Sequence, residues 1–228
     1  MATLPPPDDS ATAPPRRWYL TEEQRQVILA ALSGPPRMTF EEFLDWADED
    51  TLAEWVKGTV VMASPASLKH QEIVEFLAGV LSRFGRQHHL GRTILAPFLM
   101  KFAETAREPD VIFVATAHLD RLTPTYLDGP ADLVVEVLSP ESVGRDRGDK
   151  FYEYEQAGIP EYWLIDPLTQ RAEFYQLDEG GQYQTIGPDH DGVYYAKAVP
   201  GLALRIAWLW EPLLPLPEDA LAEFSGQR

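Results

Sequence analysis

The chain has 228 residues, 45% of them hydrophobic, and its 36 acidic against 19 basic side chains give a net charge of −17 and a pI near 4.6. A chain of this length buries roughly 70% of the surface its unfolded form exposes, so its core needs no disulfide or structural metal. The absence of cysteine excludes a thiolate nucleophile, a Cys-ligated zinc site and thiol redox chemistry.

Met1 to Ser10 carry three prolines and two aspartates where a secretory leader needs an apolar run. No stretch reaches the about 18 apolar residues of a membrane span. The expectation is therefore a cytoplasmic protein without a membrane partner. Residues 1–17 are Pro-rich and expected to form a disordered tail. A single domain is expected over 18–210 and a C-terminal tail over 211–228. Thr21 with Gln24 and Thr39 with Glu42 have capping-box spacing, which predicts helices over about 21–33 and from Thr39 to the acidic run Asp48–Asp50. Leu52–Val56, a Lys57-Gly58 turn and Thr59–Ala63 read as a hairpin.

Ser67 caps the longest periodic segment. Leu68, Ile73, Val74, Leu77, Val80, Leu81 and Phe84 keep helical spacing to about His88, the pattern of the main core helix. Strands are expected at about 93–102 and 110–114, and the apolar run Leu133–Leu138 suits a strand buried on both faces. A helix over 146–157 ends at Gly158, and strands follow at about 161–166, 171–177, 182–187 and 193–199. This order predicts an α/β fold with one central mixed sheet flanked by helices.

Within that frame a few residues carry chemistry. Glu136 lies inside Leu133–Leu138, where a carboxylate without a cation or metal is costly. Asp110 opens the next apolar strand directly after Pro109, at a strand mouth from which two carboxylates can share a hard ion such as Mg²⁺. Asp146, Lys150 and Tyr154 are spaced i, i+4, i+8 and share one helix face. An ammonium directed at a metal–carboxylate cluster can orient an attacking water or offset charge on a phosphorane oxygen. Glu54 on the hairpin and His70 in the first turn of the long helix are further candidates. No phosphate-cradling glycine loop, Gly-x-Ser-x-Gly elbow or His-Glu-x-x-His helix is present.

Several blocks together resemble one known family. They are Glu54-Trp55-Val56-Lys57-Gly58, Ala63-Ser64-Pro65 with His70, Glu108-Pro109-Asp110-Val111, Leu133 through Pro140, Asp146 with Lys150 and Tyr154, and Gly158 through Pro167. In this order they are similar to the Uma-type family of endonucleases, long treated as a domain of unknown function, and the likeness runs from about Thr39 to Ile206. It implies a restriction-endonuclease-like core of the PD-(D/E)XK type. It also implies an Mg²⁺-dependent phosphodiester hydrolase, with Mn²⁺ as a substitute ion. On that pattern Asp110 and Glu136 are the acidic pair, Glu54 a further acid completing the metal cluster, and His70 the family's histidine. The lysine expected two residues after Glu136 is Leu138 here, and Lys150 is the displaced replacement.

The implied partner is nucleic acid, DNA before RNA, although a charge of −17 argues against tight non-specific binding. The alternative is a binding or interaction module that kept the fold without the chemistry. One basic stretch, Arg83, Arg86, His88, His89, Arg92 and Lys101, interrupts the acidity. The apolar stretch Trp208, Leu209, Trp210, Leu213, Leu214 and Leu216 exceeds what a small core absorbs and leads to the expectation of a homodimer.

Overall fold

The computed structural model describes Thr21 and residues 37–48, 51–140 and 142–224, so the helix expected over 21–33 and most of the N-terminal tail lie outside the described residues. The capping box at Thr39 forms as expected: its hydroxyl accepts from the Glu42 N–H, and the Glu42 carboxylate accepts from the Thr39 N–H. It opens α1 (Phe40–Trp46), whose Phe40 and Phe43 pack against Trp55 and Ala106. The hairpin β1 (Ala53–Val56) and β2 (Thr59–Met62) turns at Lys57 and Gly58, with φ of 49° and 87°. Positive φ at both turn residues matches the right-handed strand twist, and Gly58 adopts it without a Cβ penalty.

The long helix α2 (Leu68–Gln87) starts at the Ser67 cap, whose hydroxyl accepts from the His70 N–H. Ile73, Leu77 and Leu81 are fully enclosed. At about 2 kcal/mol per buried aliphatic side chain, this face anchors the helix. It lies on Val111, Phe113, Leu133 and Val135 of the largest sheet.

The expected strand over 93–102 is two strands in two sheets: β3 (Gly91–Leu95) and β4 (Leu99–Phe102). Pro97, which has no N–H for a ladder, separates them. Three short strands were not foreseen: β5 (Thr105–Arg107), β7 (Tyr126–Asp128) and, near the C-terminus, β13 (Ala203–Arg205). The remaining strands are β6 (Val111–Ala115), β8 (Leu133–Val137), β9 (Glu161–Asp166), β10 (Arg171–Leu177), β11 (Tyr183–Thr185) and β12 (Val193–Tyr195). A π-helical turn, Arg145–Asp149, runs directly into α3 (Lys150–Ala157).

The central sheet has the order β11-β10-β9-β8-β6-β3 and is mixed, since β8 and β9 are parallel and the other pairs antiparallel. Residues alternate across it: Val111, Phe113, Leu133 and Val135 face α2, while Ile112, Val114, Val134, Leu138 and Tyr162 pack with Tyr154 and Phe151 of α3. β8 is buried on both faces, as its apolar run predicts. A second sheet, β2-β1-β5-β4-β7, and the β12–β13 ribbon complete the strands. This is a restriction-endonuclease-like α/β core with its central mixed sheet flanked by helices.

The expected boundary at residue 210 needs correction. The segment beyond it includes a further helix, α4 (Pro217–Phe224), which packs on α2 through buried Ala220 and an Arg83–Glu218 pair at 3.2 Å. Gly79 permits the approach, because a Cβ there would lie 2.6 Å from the Pro217 Cγ. The same packing takes up much of the apolar stretch that motivated a dimer. Leu209 is fully buried, and Trp208, Trp210 and Leu214 pack on the core, while Leu213 and Leu216 remain exposed. Among the described residues no helix is long and apolar enough to cross a membrane.

Candidate active site

The antiparallel register that pairs Val111 with Val135 sets Asp110 opposite Glu136, at the end of β6 and β8. Asp110 Oδ2 accepts from the Val137 N–H at 2.7 Å, extending the ladder by one carboxylate. The same oxygen lies 3.3 Å from His70 Nε2. His70 reaches it from the first turn of α2, and its Nδ1 is buried without a hydrogen-bond partner. Asp110 raises the His70 pKa against the opposing effect of burial.

Glu136 points to the opposite face from Val135, toward α3, and is 4% exposed. Its Oε1 accepts from Lys150 Nζ and from the Tyr154 hydroxyl, both at 2.8 Å. Lys150 Nζ also lies 3.0 Å from Glu54 Oε1 and 3.2 Å from Asp146 Oδ1. The Asp146 contact is close in distance but not aligned as a hydrogen bond. Three carboxylates thus surround one ammonium. Burial alone would lower the Lys150 pKa, but Glu136, Glu54 and Asp146 outweigh it and hold the amine charged. Burial pushes the Glu136 carboxyl well up, Lys150 opposes that, and Asp146, Asp110 and Glu54 add to it. Burial and the Glu136 charge raise the Tyr154 phenol, which therefore stays a donor.

Glu54 comes from β1 in the other sheet, so the site sits where the two sheets meet. Both of its oxygens are engaged. Oε1 faces Lys150 and accepts from the Glu108 N–H at 3.3 Å, and Oε2 accepts from Arg107 Nη1 at 2.9 Å. Arg107, 1% exposed, also binds Glu153 through Nε and Nη2 at 2.8 Å. Burial pulls the Glu54 pKa up, but Lys150 and Arg107 overcome it and leave it lowered.

Asp110, Glu136, Lys150, Glu54 and His70 all line a single cleft of about 210 Å³, together with Glu108, Arg145 and Asp146. Every residue picked from the sequence is therefore in one place. Burial and the neighbouring charges of Glu54 and Asp110, partly offset by Lys150, push the Glu108 carboxyl up to about 7. Arg107, Glu108 and Arg145 are the members that sequence reasoning did not select as site residues. A charge count would have found the first, because buried Glu54, Glu136 and Asp146 exceed what one lysine neutralises. Among the described residues, the one group of three metal-type ligands within mutual reach of a single ion is the exposed Asp189, His190 and Asp191, not the cleft acids.

Comparison with known proteins places the whole chain, not the cleft alone, in context. Residues 40–207 match the family model Uma2, described as "Putative restriction endonuclease". Two uncharacterized proteins of Synechocystis sp. are 27% and 25% identical to the chain over 149 and 152 residues, which span 61% and 65% of it and 80% and 78% of those proteins. The fold is also that of a crystal structure of "a putative nuclease belonging to DUF820" from Anabaena variabilis. That likeness has a TM-score of 0.65 at 21% identity and covers 76% of this chain and 97% of the other. With nearly three quarters of its length matched, the chain belongs to the Uma2 family.

Proposed function

We propose that the protein is a divalent-metal-dependent nuclease that hydrolyses phosphodiester bonds of nucleic acid, DNA before RNA. The observation that carries this reading is the register placing Asp110 opposite Glu136 in a cleft that also holds Lys150 Nζ, 2.8 Å from Glu136. The donor set suits Mg²⁺, or Mn²⁺ in its place, which takes one or two carboxylates and keeps several waters. In both acids the protein donors converge on one oxygen, Oδ2 of Asp110 and Oε1 of Glu136, which leaves the second oxygen for a metal. Five acids line the cleft, Glu54, Glu108, Asp110, Glu136 and Asp146, against Lys150 and Arg145, with Arg107 bound to Glu54 behind them, and a divalent ion offsets that excess.

Asp110 and Glu136 hold the ion in this reading. Glu54, its oxygens already committed, positions Lys150 rather than serving as a third ligand. A divalent ion held by Asp110 and Glu136 would supply activation of a water and stabilisation of charge on the phosphoryl oxygens. Lys150 stays protonated, so it orients the attacking water and offsets charge developing in the transition state; it does not act as the base. His70, 3.3 Å from Asp110 through Nε2, orients that carboxylate from the first turn of α2.

The test is cleavage of plasmid and single-stranded DNA and of RNA with Mg²⁺ or Mn²⁺, beside metal titration calorimetry. Lys150→Ala is expected to lower cleavage by about 10²-fold or more while metal binding persists, because it removes a group acting on the reaction and not a ligand. Glu136→Gln is expected to lose both. Equal cleavage by wild type and Lys150→Ala removes the role given to Lys150. No cleavage of any substrate by wild type favours the second reading, an inactive nuclease-fold binding module, for which the −17 charge and the ammonium locked among three carboxylates speak.

A further inference from the structure

The cleft contains one strong cation that the site described above does not use. Arg145 lines it beside Asp146 and Lys150. The other arginines near the site are spoken for: Arg107 is bound by Glu54 and Glu153, and Arg147 by Glu173 and Asp166. Arg145 makes no ion pair among the described residues, although Glu54, Glu108, Asp110, Glu136 and Asp146 line the same cleft, and its Nε is buried without a hydrogen-bond partner. A guanidinium on the wall of a cleft with no acceptor among the described residues keeps its remaining donors for an incoming anion.

The backbone explains why Arg145 and Lys150 share the cleft. In an α-helix, residues five apart are rotated about 140° from each other, at 100° per residue. Here the segment is wound as a π-turn, and the Lys150 N–H donates to the Arg145 carbonyl five residues back. The wider turn brings the two side chains toward one face, and π-turns of this kind recur at functional sites. Lys150 Nζ lies within 3.2 Å of Glu136, Glu54 and Asp146, and these three charges weaken its attraction for an anion in the ground state. Arg145 is free to do so.

We propose that Arg145 is a substrate-binding residue whose guanidinium, through its two Nη donors, grips the non-bridging oxygens of a phosphodiester in the cleft. A planar fork of two parallel donors matches two such oxygens, a match that an ammonium lacks. The assignment rests on the nuclease reading for the identity of the anion, and the experiment separates the two.

Binding is followed by anisotropy with a 12-nucleotide fluorescein-labelled DNA strand in Ca²⁺ buffer, and with the same sequence on an uncharged methylphosphonate backbone. Cleavage of the phosphodiester strand is measured in Mg²⁺ or Mn²⁺. Arg145→Ala and Arg145→Gln are expected to weaken phosphodiester binding about tenfold or more and to raise KM more than they lower kcat. Their thermal midpoints should match wild type, since the side chain has no partner among the described residues to lose. Arg145→Lys should recover part of the binding, and all variants should bind the methylphosphonate strand weakly and equally. Equal phosphodiester affinity in wild type, Arg145→Ala and Arg145→Gln overturns the assignment even where cleavage is intact, as does an equal loss on the two backbones. Arg145-dependent binding with no cleavage by wild type overturns the nuclease reading and keeps Arg145 as a phosphodiester site. Neither binding nor cleavage by wild type overturns both.

Discussion

Arg107 is enclosed between two carboxylates from different elements, Glu54 of β1 and Glu153 of α3, and joins the second sheet to the helix that carries Lys150. Removing one member of a buried ionic network leaves the remaining charges without compensation, which typically costs about 3–5 kcal/mol. Arg107→Met is therefore expected to destabilise the protein by about that much, measured by urea denaturation near neutral pH. Adding Glu54→Gln to Arg107→Met should recover part of the loss, because it removes one of the stranded charges. A single substitution costing under about 1 kcal/mol would show that the network is solvated. Legibility in the sequence differed among these residues for a physical reason. Glu136 stood out because an acid in an apolar strand violates burial preference, and Lys150 because helical spacing aligns it with Asp146 and Tyr154. Arg107 occupies a three-residue strand in a polar neighbourhood, Ala-Arg-Glu-Pro-Asp, where nothing local marks it as buried.

The elements most legible in advance were those whose periodicity persists over many residues. α2 keeps its apolar stripe over five turns, β8 is an apolar run broken only by Glu136, and β9 is apolar between Glu161 and Asp166. Of the second sheet the β1–β2 hairpin was legible through its Lys57-Gly58 turn, while β5 and β7 were not, because three residues are too few for a period of two to be read. The π-turn was equally hidden: a helix over 146–157 has the right residues, but one wider turn changes which of them share a face. That turn is fastened to the central sheet by Arg147, which pairs with Glu173 of β10 and lies 3.6 Å from Asp166 at the end of β9. Burial pulls both acids up, but hydrogen bonds from Tyr175 and Arg147 to Glu173, and from Thr169 and Leu168 to Asp166, leave each lowered below its ordinary value of 4.5 or 3.8. The sign follows from linkage. A carboxyl with a lowered folded pKa contributes stability that is full above its unfolded value and is lost as pH falls through the folded one. Arg147→Met should thus reduce stability at pH 7 by about 1 kcal/mol, the guanidinium being a third exposed, and the difference from wild type should shrink below about pH 4. Thermal melts of both proteins from pH 3 to 7 check this, and a gap independent of pH would assign the effect to packing.

Charge acts on the molecule as a whole and opposes the proposed substrate. The chain carries −17, and its cleft is lined by five acids, so a polyanion approaching from a distance meets repulsion rather than steering. The basic stretch noted in the sequence does not relieve this at the cleft. Arg83 is paired with Glu218, and Lys101 lines a different pocket, beside Phe102 and Gly129. Arg86, near the C-terminus of α2, is 16 residues beyond His70 at the cleft, about 24 Å along a helix axis at 1.5 Å per residue. Recognition then depends on short-range contacts inside the cleft while the long-range field works against encounter. The Debye length shrinks from about 30 Å at 0.01 M salt to about 8 Å at 0.15 M, which screens the distant acids more than the cleft contacts. Association of a short oligonucleotide, followed by stopped-flow anisotropy, should therefore speed up as salt rises over that range. The opposite trend, the slowing seen where a basic surface steers nucleic acid, would mean that cations outside the cleft govern the encounter and would move the binding face away from Asp110 and Glu136.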